Sequence, residues 1–269
     1  MGLAPAVALA AAAAAPAWSL SWSPRNDEAR ALLGQSYRPR RQTTTLLRHF
    51  DANARAGLRH EFRFLDLPAV DGVPADTNSY VHRLTLGWQQ DGESRRLRLA
   101  GTLSVSSNAL KNPGDLGAGD LQPALAYGQR AGPVWLALFA DDRLGRTLVY
   151  PGIELPLAPA PGHEIRLGLP ESSWHWQLAP DWRAVAAVEP DGACWRVRDA
   201  TLSRRSEVCS RAWAASWALQ WQPTRHVVAA ATIGRSFGGS LTYQLSDGGS
   251  ARVDVPAGGF YGFTIGAAF

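Results

Sequence analysis

The side chains that could do acid–base or nucleophilic chemistry are thinly spread along this chain. Its six histidines stand in separate segments, at positions 49, 60, 82, 163, 175 and 226. The sequence contains no phosphate-binding loop, dinucleotide fingerprint or H-E-x-x-H pair. Two facing strands could still bring a histidine beside a serine, but sequence spacing cannot reveal such a pair. We therefore predict no enzyme, no catalytic residue, no cofactor and no metal site.

The two cysteines, Cys194 and Cys209, are the next candidates for chemistry. A lone even pair fits an oxidising compartment, where a bridge closing about 15 residues would stabilise the fold by roughly 3 kcal/mol. Two unpaired buried thiols are the alternative. A zinc site is not indicated, because no further cysteine or histidine stands at ligand spacing beside either residue.

Arginine supplies almost all of the positive charge in a chain of net charge +4. The arginines recur singly instead of forming a basic patch with interleaved aromatics, so the pattern does not favour nucleic acid. Several share the polar face of their segments and are predicted to line an interior, where they would favour anions or pair with Glu61, Glu164 and other acids. These candidate lumen residues are Arg59, Arg63, Arg83, Arg96, Arg98, Arg166 and Arg196.

The segments that carry these residues alternate with a period of two. Leu84, Leu86 and Trp88, for example, alternate with Arg83 and Thr85, which predicts strands with one apolar and one polar face. The composition, with 19% charged residues and 11 Trp, excludes intrinsic disorder. Apolar runs beyond residue 20 are too short for a spanning helix, and frequent Gly and Pro exclude a coiled coil. A β-rich protein remains.

Segment length and aromatic placement favour a membrane barrel over a soluble sandwich. Many segments reach about 9 to 13 residues, which suits strands that cross a bilayer better than the shorter strands of soluble proteins. Aromatic residues stand near both ends of the apolar face, as Tyr80 with Trp88 and Trp213 with Trp221 do. This spacing is typical of two interfacial girdles.

The two ends of the sequence point to the same location. Tyr261, Phe263, Ile265 and Phe269 share one face of the last segment. This tail resembles the C-terminal assembly signal of bacterial outer-membrane β-barrels, which implies insertion by the barrel-assembly machinery. Residues 1–17 have the Ala-rich core and small-x-small end of a signal peptide, although no Lys or Arg precedes the core. We predict an all-β, antiparallel, up-and-down transmembrane barrel in the bacterial outer membrane, with a soluble periplasmic β-sandwich as the alternative.

The turns predict about twelve strands, within a range of about 10 to 14, and an even number is what single-chain bacterial barrels require. We expect a signal peptide over 1–17, a periplasmic lead, helical or plug-like, over 18–56, and the barrel over 57–269. Short turns would face the periplasm, and the longer connections at 67–78, 107–118 and 199–206 would face outward. The predicted strands are 57–66, 79–90, 95–106, 119–130, 132–141, 147–157, 163–169, 173–178, 182–198, 207–221, 226–246 and 251–269.

Irregular points remain inside these predicted strands. Pro190-Asp191-Gly192 and Gly238-Gly239 are interpreted as bulges or kinks, and 163–169 with 173–178 could form one kinked strand. Cys194 has the lumen-facing parity of its strand, whereas Cys209 has lipid-facing parity. A disulfide between them therefore requires a bulge near one of the two cysteines.

Two further blocks of sequence resemble a known family. PGIELPLAP at 151–159 with GACWRV at 192–197, and ATIGRSFGGSLTYQLSDG at 231–248, are similar to an uncharacterised family of outer-membrane barrels, a domain of unknown function. That resemblance implies fold and location and supplies no catalytic residues.

The sequence leaves the function open. It fits a small passive pore, or a structural or surface-binding barrel with a filled lumen, and it does not identify a ligand. An outer-membrane lipid hydrolase would need a His, Ser or acid cluster at one rim of the barrel. The expected surroundings are outer-membrane lipid and lipopolysaccharide, for a monomer that binds no nucleic acid.

Overall fold

The computed structural model describes residues 18–51, 53–65, 80–111, 114, 116–198, 205–245 and 248–269. The predicted signal peptide at 1–17 and the predicted connection at 67–78 lie outside these residues, as do 199–204. Within the described residues, no helix is long and apolar enough to cross a membrane.

Alternating apolar and polar residues form strands along almost the whole described chain. Besides the strands, the described chain contains a short helix, α1 (Ser107–Lys111), and a 3₁₀ turn (Ala118–Asp120). The strands are β1 (Trp18–Asp27), β2 (Arg30–Leu32), β3 (Gln35–Tyr37), β4 (Arg40–His49), β5 (Ala54–Phe64), β6 (Tyr80–Asp91), β7 (Arg95–Ser106), β8 (Leu121–Ala131), β9 (Val134–Asp141), β10 (Leu148–Leu157), β11 (His163–Leu169), β12 (Ser172–Ala179), β13 (Trp182–Pro190), β14 (Ala193–Arg198), β15 (Arg205–Thr224), β16 (Val227–Leu245), β17 (Ser250–Val255) and β18 (Gly258–Ala268).

Fourteen of these strands close an antiparallel barrel. The first and last wall strands meet at a seam, where Trp18 and Phe269 exchange two backbone hydrogen bonds of 2.9 Å. Closure pairs the backbone polar groups of the wall, which is the condition for strands in lipid. In order around the wall, the strands are β1, β4, β5, β6, β7, β8, β9, β10, β11, β12, β13, β15, β16 and β18.

The predicted count of about twelve strands is wrong, because residues 18–56 are not a lead. They supply β1 and β4, which pair with each other and with β18 and β5. The outward face of β4 carries Gln42 and Thr44, so its apolar stripe is too weak to see in the sequence. Predicted strands 163–169 and 173–178 are two separate strands, β11 and β12. The prediction of one strand over 251–269 is wrong, because the chain turns at Pro256 and Ala257 and divides it into β17 and the wall strand β18.

The outer surface of the wall is an apolar belt. Val149 and Ile233 are 69% and 65% exposed on that surface, as side chains in contact with lipid would be. Trp182 stacks on Trp221 at one end of the belt, and Tyr80 lies at the other end. A closed barrel with this belt and aromatic ends is a transmembrane barrel of the outer-membrane type, and the chain is located in the outer membrane.

The two ends of the barrel differ in their connections. Trp18, Phe269 and the short turns at 92–94, 132–133 and 180–181 share one end, which we call the periplasmic end. The opposite, outer end carries the longer connections. Beyond the wall there, β15 and β16 continue and pair with β14 and β17.

These outer elements form a cap with its own hydrophobic core. We define the cap as the β2–β3 hairpin, β14, β17 and the parts of β15 and β16 at 205–211 and 239–245. Its buried core includes Leu32, Tyr37, Trp195, Val208, Leu241 and Tyr243. The barrel mouth is therefore covered by packed side chains.

Strand β14 crosses the mouth along a diameter. It pairs with β15 on one side and contacts β7 in parallel through Arg196 and Val105 on the other. Six wall strands separate β7 from β15 in either direction. The expectation that 182–198 is one kinked wall strand is wrong, because the chain leaves the wall after Pro190 and turns inward.

A disulfide between Cys194 and Cys209 fastens β14 to β15. The predicted need for a bulge near one cysteine is wrong, because β13 and β14 keep a single register with β15, from Trp182 opposite Trp221 to Cys194 opposite Cys209. A register shift does occur between β15 and β16, where Arg211–Trp213 faces the longer segment Phe237–Ser240 of β16. This bulge includes Gly238, whose φ of +60° a glycine adopts without steric cost.

Candidate functional site

Six of the seven predicted lumen arginines lie on the inward face of the wall. Cross-strand partners show the shared face, since Arg59 pairs with Thr85, and Arg83 with Glu61 and Ser104. Arg196 is the exception, and its assignment to the lumen is corrected. It lies on β14 in the cap, 3.4 Å from Asp120, because the chain has left the wall before this residue. The six lumen arginines are Arg59, Arg63, Arg83, Arg96, Arg98 and Arg166.

Most of these arginines are paired with carboxylates inside the barrel. Glu61 accepts hydrogen bonds from Arg59 Nη2 at 3.1 Å and from Arg63 Nε at 2.6 Å. Arg83 Nη2 donates to both carboxylate oxygens of Asp142, at 2.8 and 2.9 Å. Charge-assisted contacts of this kind are among the stronger hydrogen bonds in proteins.

The same pairing continues on the other side of the lumen. Arg96 donates to Glu154 at 2.9 Å and Arg166 to Glu164 at 2.6 Å. Arg98 differs from them, since no carboxylate of the described residues lies within ion-pair distance of it. It lies opposite Gln89, near Arg55, towards the periplasmic end.

The centre of the charge network is Asp191, in the loop between β13 and β14. Arg25 Nη1 donates to its Oδ2 at 2.6 Å, and Arg41 Nη1 donates to its Oδ1 at 2.7 Å. Arg63 Nη2 lies 3.5 Å from the same Oδ1. Three wall strands, β1, β4 and β5, thus converge on one carboxylate that is not part of the wall.

These guanidinium groups keep Asp191 ionised. Burial alone would raise the pKa of this loop carboxyl, but Arg41, Arg25 and Arg63 hold the pKa well below its ordinary value. A depressed carboxyl pKa stabilises the fold above the ordinary Asp range, and that stabilisation is lost only as pH falls to the lowered pKa. The cluster therefore persists on mild acidification.

Two cavities lie on opposite sides of this cluster. The larger extends from Arg55 and Arg98 to the loop of Asp191. The smaller extends from the same loop to the cap. Both are lined by Arg41, Arg63 and Asp191. We call Arg25, Arg41, Arg63 and Asp191 the partition.

The loop that carries Asp191 is anchored to the opposite loop between β9 and β10. Gly192 donates its backbone N–H to the Arg143 carbonyl at 3.0 Å, and Cys194 donates its N–H to Asp142 at 3.0 Å. A Cβ at position 192 would collide with that Arg143 carbonyl, so glycine is required for this close approach. The anchor fixes where Asp191 meets the arginines.

Sequence reasoning missed the partition. The sequence pattern places Asp191 in a predicted kink, and Arg25 and Arg41 in the predicted lead. The available signal was the polar face formed by Ser21, Ser23 and Arg25, whose positions alternate with the apolar Leu20 and Trp22.

Two of the six histidines contact each other, on the outward face of the barrel. His60 Nε2 lies 3.1 Å from His82 Nδ1, and His82 Nε2 lies 2.9 Å from Ser107 Oγ. The other four are distributed around the wall; His49, for instance, contacts Ser19 at 3.2 Å.

One group in the described part of the chain has metal-ligand spacing, namely Cys194, Glu207 and Cys209. Both sulfurs are already joined in the disulfide. The group therefore offers no thiolate to an ion.

Comparisons with known proteins found similarity in structure alone. No family model and no curated protein matches the chain. A bacterial polysaccharide outer membrane secretin matches with a TM-score of 0.47 and 8% identity, over 96% of this chain and all of the other. The KdgM porin matches with a TM-score of 0.38 and 8% identity over 93% and 99%.

The Acinetobacter baumannii outer membrane protein Omp33 matches with a TM-score of 0.41 and 6% identity, over 94% of this chain and 98% of the other. Similarity at this level carries no information about what the present chain transports or binds.

Proposed function

We propose that this barrel is a conduit for small anions that is closed, in the conformation described, at the partition. The observation that carries the proposal is the pair of lumen cavities separated by one salt-bridged residue. That residue, Asp191, belongs to a loop, so its side chain can change partners without any change in wall pairing. A solid interior would show no such pair of cavities.

The charge of the lumen supports anions as the solute. Seven arginines and three carboxylates line the larger cavity. Arg98, which has no ion-pair partner among the described residues, and Arg55, 3.9 Å from Asp91, face its periplasmic part. In a narrow low-dielectric channel, an excess of fixed positive charge attracts anions and repels cations.

Control of opening rests on the Asp191 loop. Its carboxylate neutralises three arginines that would otherwise repel one another, and the disulfide three residues later restrains its position. Displacement of this carboxylate would join the two cavities and return the charge of Arg41 to the conduit, whereas Arg25 and Arg63 would keep Asp27 and Glu61 as partners.

The experiment is single-channel recording in planar bilayers, comparing wild type with Asp191→Asn. We expect rare openings in the wild type and severalfold more open time in the variant, with a reversal potential that shows anion preference. Asp254→Asn is the matched control, since Asp254 pairs with Arg252 at 3.4 Å on the exposed surface of the cap.

Heat modifiability on a gel would show whether each variant keeps a closed barrel. A folded Asp191→Asn barrel with no more conductance than wild type would overturn the proposal. It would favour the alternative of a filled, surface-binding or structural barrel.

The wall also closes within one chain. This supports our further proposal that the protein acts as a monomer in outer-membrane lipid and lipopolysaccharide, inserted by the barrel-assembly machinery.

A further inference from the structure

Three polar side chains form a hydrogen-bonded row on the lipid-facing surface near the outer end of the barrel. His60 lies on β5, His82 on the neighbouring β6, and Ser107 begins α1 directly after β7. The contacts are 2.9 Å between Ser107 Oγ and His82 Nε2, and 3.1 Å between His82 Nδ1 and His60 Nε2. The two imidazole rings are nearly parallel, at 11°.

This row has the connectivity of a nucleophile, a base and a residue that orients the base. If Ser107 donates its proton to His82 Nε2, then Nδ1 of the same ring carries a proton. His60 Nε2 is placed to accept it. Each hydrogen bond then has one donor and one acceptor, and His82 is held in the tautomer that can deprotonate Ser107.

The position of the row is costly for a purely structural feature. The next outward-facing positions along the same strands hold apolar residues, and Leu86 among them is 67% exposed. Polar groups at a lipid-facing surface lose hydration, and a porin wall would place apolar residues there. Ser107, His82 and His60 are each only partly buried, so a molecule on the outer surface can reach them.

The surroundings suit a lipid with its ester at the interface. Phe62 lies 5.1 Å from the His82 ring, and Phe62 and Phe64 both contact Tyr80. These rings belong to the outer aromatic end of the belt, where the ester linkages of an outer-leaflet lipid lie. Below His82 on the same face, Leu84 and Leu86 offer an apolar track for an acyl chain.

We infer that Ser107, His82 and His60 form a hydrolytic site for carboxylic esters of membrane lipids. Ser107 Oγ attacks the ester carbonyl carbon while its proton passes to His82 Nε2. The tetrahedral adduct then expels the lipid alcohol, which takes the proton from His82 and leaves an acyl-serine.

Water completes the cycle. His82 removes a proton from a water molecule as its oxygen attacks the acyl carbonyl. The bond to Ser107 Oγ breaks, the fatty acid leaves, and Oγ regains its proton from His82. The net reaction converts an ester and water into a fatty acid and an alcohol.

The test uses the full-length protein in detergent micelles and measures fatty acid release. One arm supplies phosphatidylethanolamine–phosphatidylglycerol vesicles, and the other supplies lipopolysaccharide aggregates. Release in either arm supports the site and identifies the source of the ester. A fluorophosphonate probe should also label wild type at Ser107.

The variants are Ser107→Ala, His82→Gln and His60→Ala. We expect the first two to lower the rate at least about a hundredfold, as for loss of a nucleophile or a general base. Ser94→Ala and His226→Gln, at the periplasmic end, are the controls and should retain the wild-type rate.

His60 is a positioning residue, so its variants need a measurement that misfolding alone would not change. His60→Ala should shift the pH profile of the rate, and His60→Asn, whose amide oxygen can accept from His82 Nδ1, should recover part of the activity. The absence of release in both arms, or full activity in Ser107→Ala, would overturn the inference. Channel conductance should be unchanged in Ser107→Ala, so this result is independent of the proposed conduit.

Discussion

At the scale of single residues, adjacent positions in one strand serve opposite sides of the wall. On β5, Arg59 and Glu61 face the lumen while His60, between them, faces lipid. Most lumen arginines form an ion pair with a carboxylate, so their removal would leave that buried carboxylate without a partner. Arg98 lacks such a partner among the described residues, which makes it the cleanest probe of lumen charge.

Arg98→Ala should weaken anion preference without a large change in stability. The lost positive charge lowers the local anion concentration, and no carboxylate is left unpaired. The measurement is the reversal potential under a salt gradient, made in the Asp191→Asn background so that openings are frequent. Arg252→Ala, at an exposed arginine on the surface of the cap, is the control. Equal reversal potentials in both variants would contradict the prediction.

At the scale of elements, β14 and its disulfide couple the cap to the partition. The strand begins two residues after Asp191, and Cys194 is bonded to Cys209 on β15. Its Trp195 is buried in the cap core and lies 5.1 Å from the guanidinium of Arg63. Any motion of β14 is therefore transmitted to the arginines around Asp191.

Replacement of both cysteines, Cys194→Ser with Cys209→Ser, should increase open time and lower the thermal stability of the cap. The bridge closes a loop of about 15 residues, worth roughly 3 kcal/mol in the unfolded chain. Single-channel recordings with and without reductant would measure the effect, and the double variant should no longer respond to reductant. Unchanged open time would mean that the ion pairs alone hold the partition closed.

At the scale of the whole molecule, the sequence was sufficient for the barrel but not for its interior. Strong alternation such as that of Leu84, Leu86 and Trp88 depends only on neighbours along the chain, so most wall strands could be predicted from it. The partition joins Arg25 to Asp191, 166 positions apart, and the surface row joins His60 to Ser107. Such contacts depend on the register of several strands, which no local pattern contains.

The outward ring of Phe269 provides a test of assembly. Phe269→Ala should reduce the amount of protein in the outer membrane of cells severalfold, yet leave folding into detergent micelles intact. Its ring is 64% exposed, and the seam to Trp18 uses only backbone atoms. Heat modifiability measures folding in both settings.

Ile233→Ala is the matched control, because Ile233 is 65% exposed on a neighbouring wall strand. Equal loss in both variants would indicate a general need for apolar surface instead of recognition of the tail.

The diameter traced by β14 also has a consequence for the order of folding. Its ladder with β15 joins residues close in sequence and can form early, whereas its contact with β7 joins residues separated by six wall strands and needs that half of the wall in place. The disulfide can accordingly be oxidised in the periplasm as a local hairpin before insertion. The hairpin that covers the barrel mouth is then formed before the wall closes. The wall therefore closes around a segment that a covalent bond already holds in place.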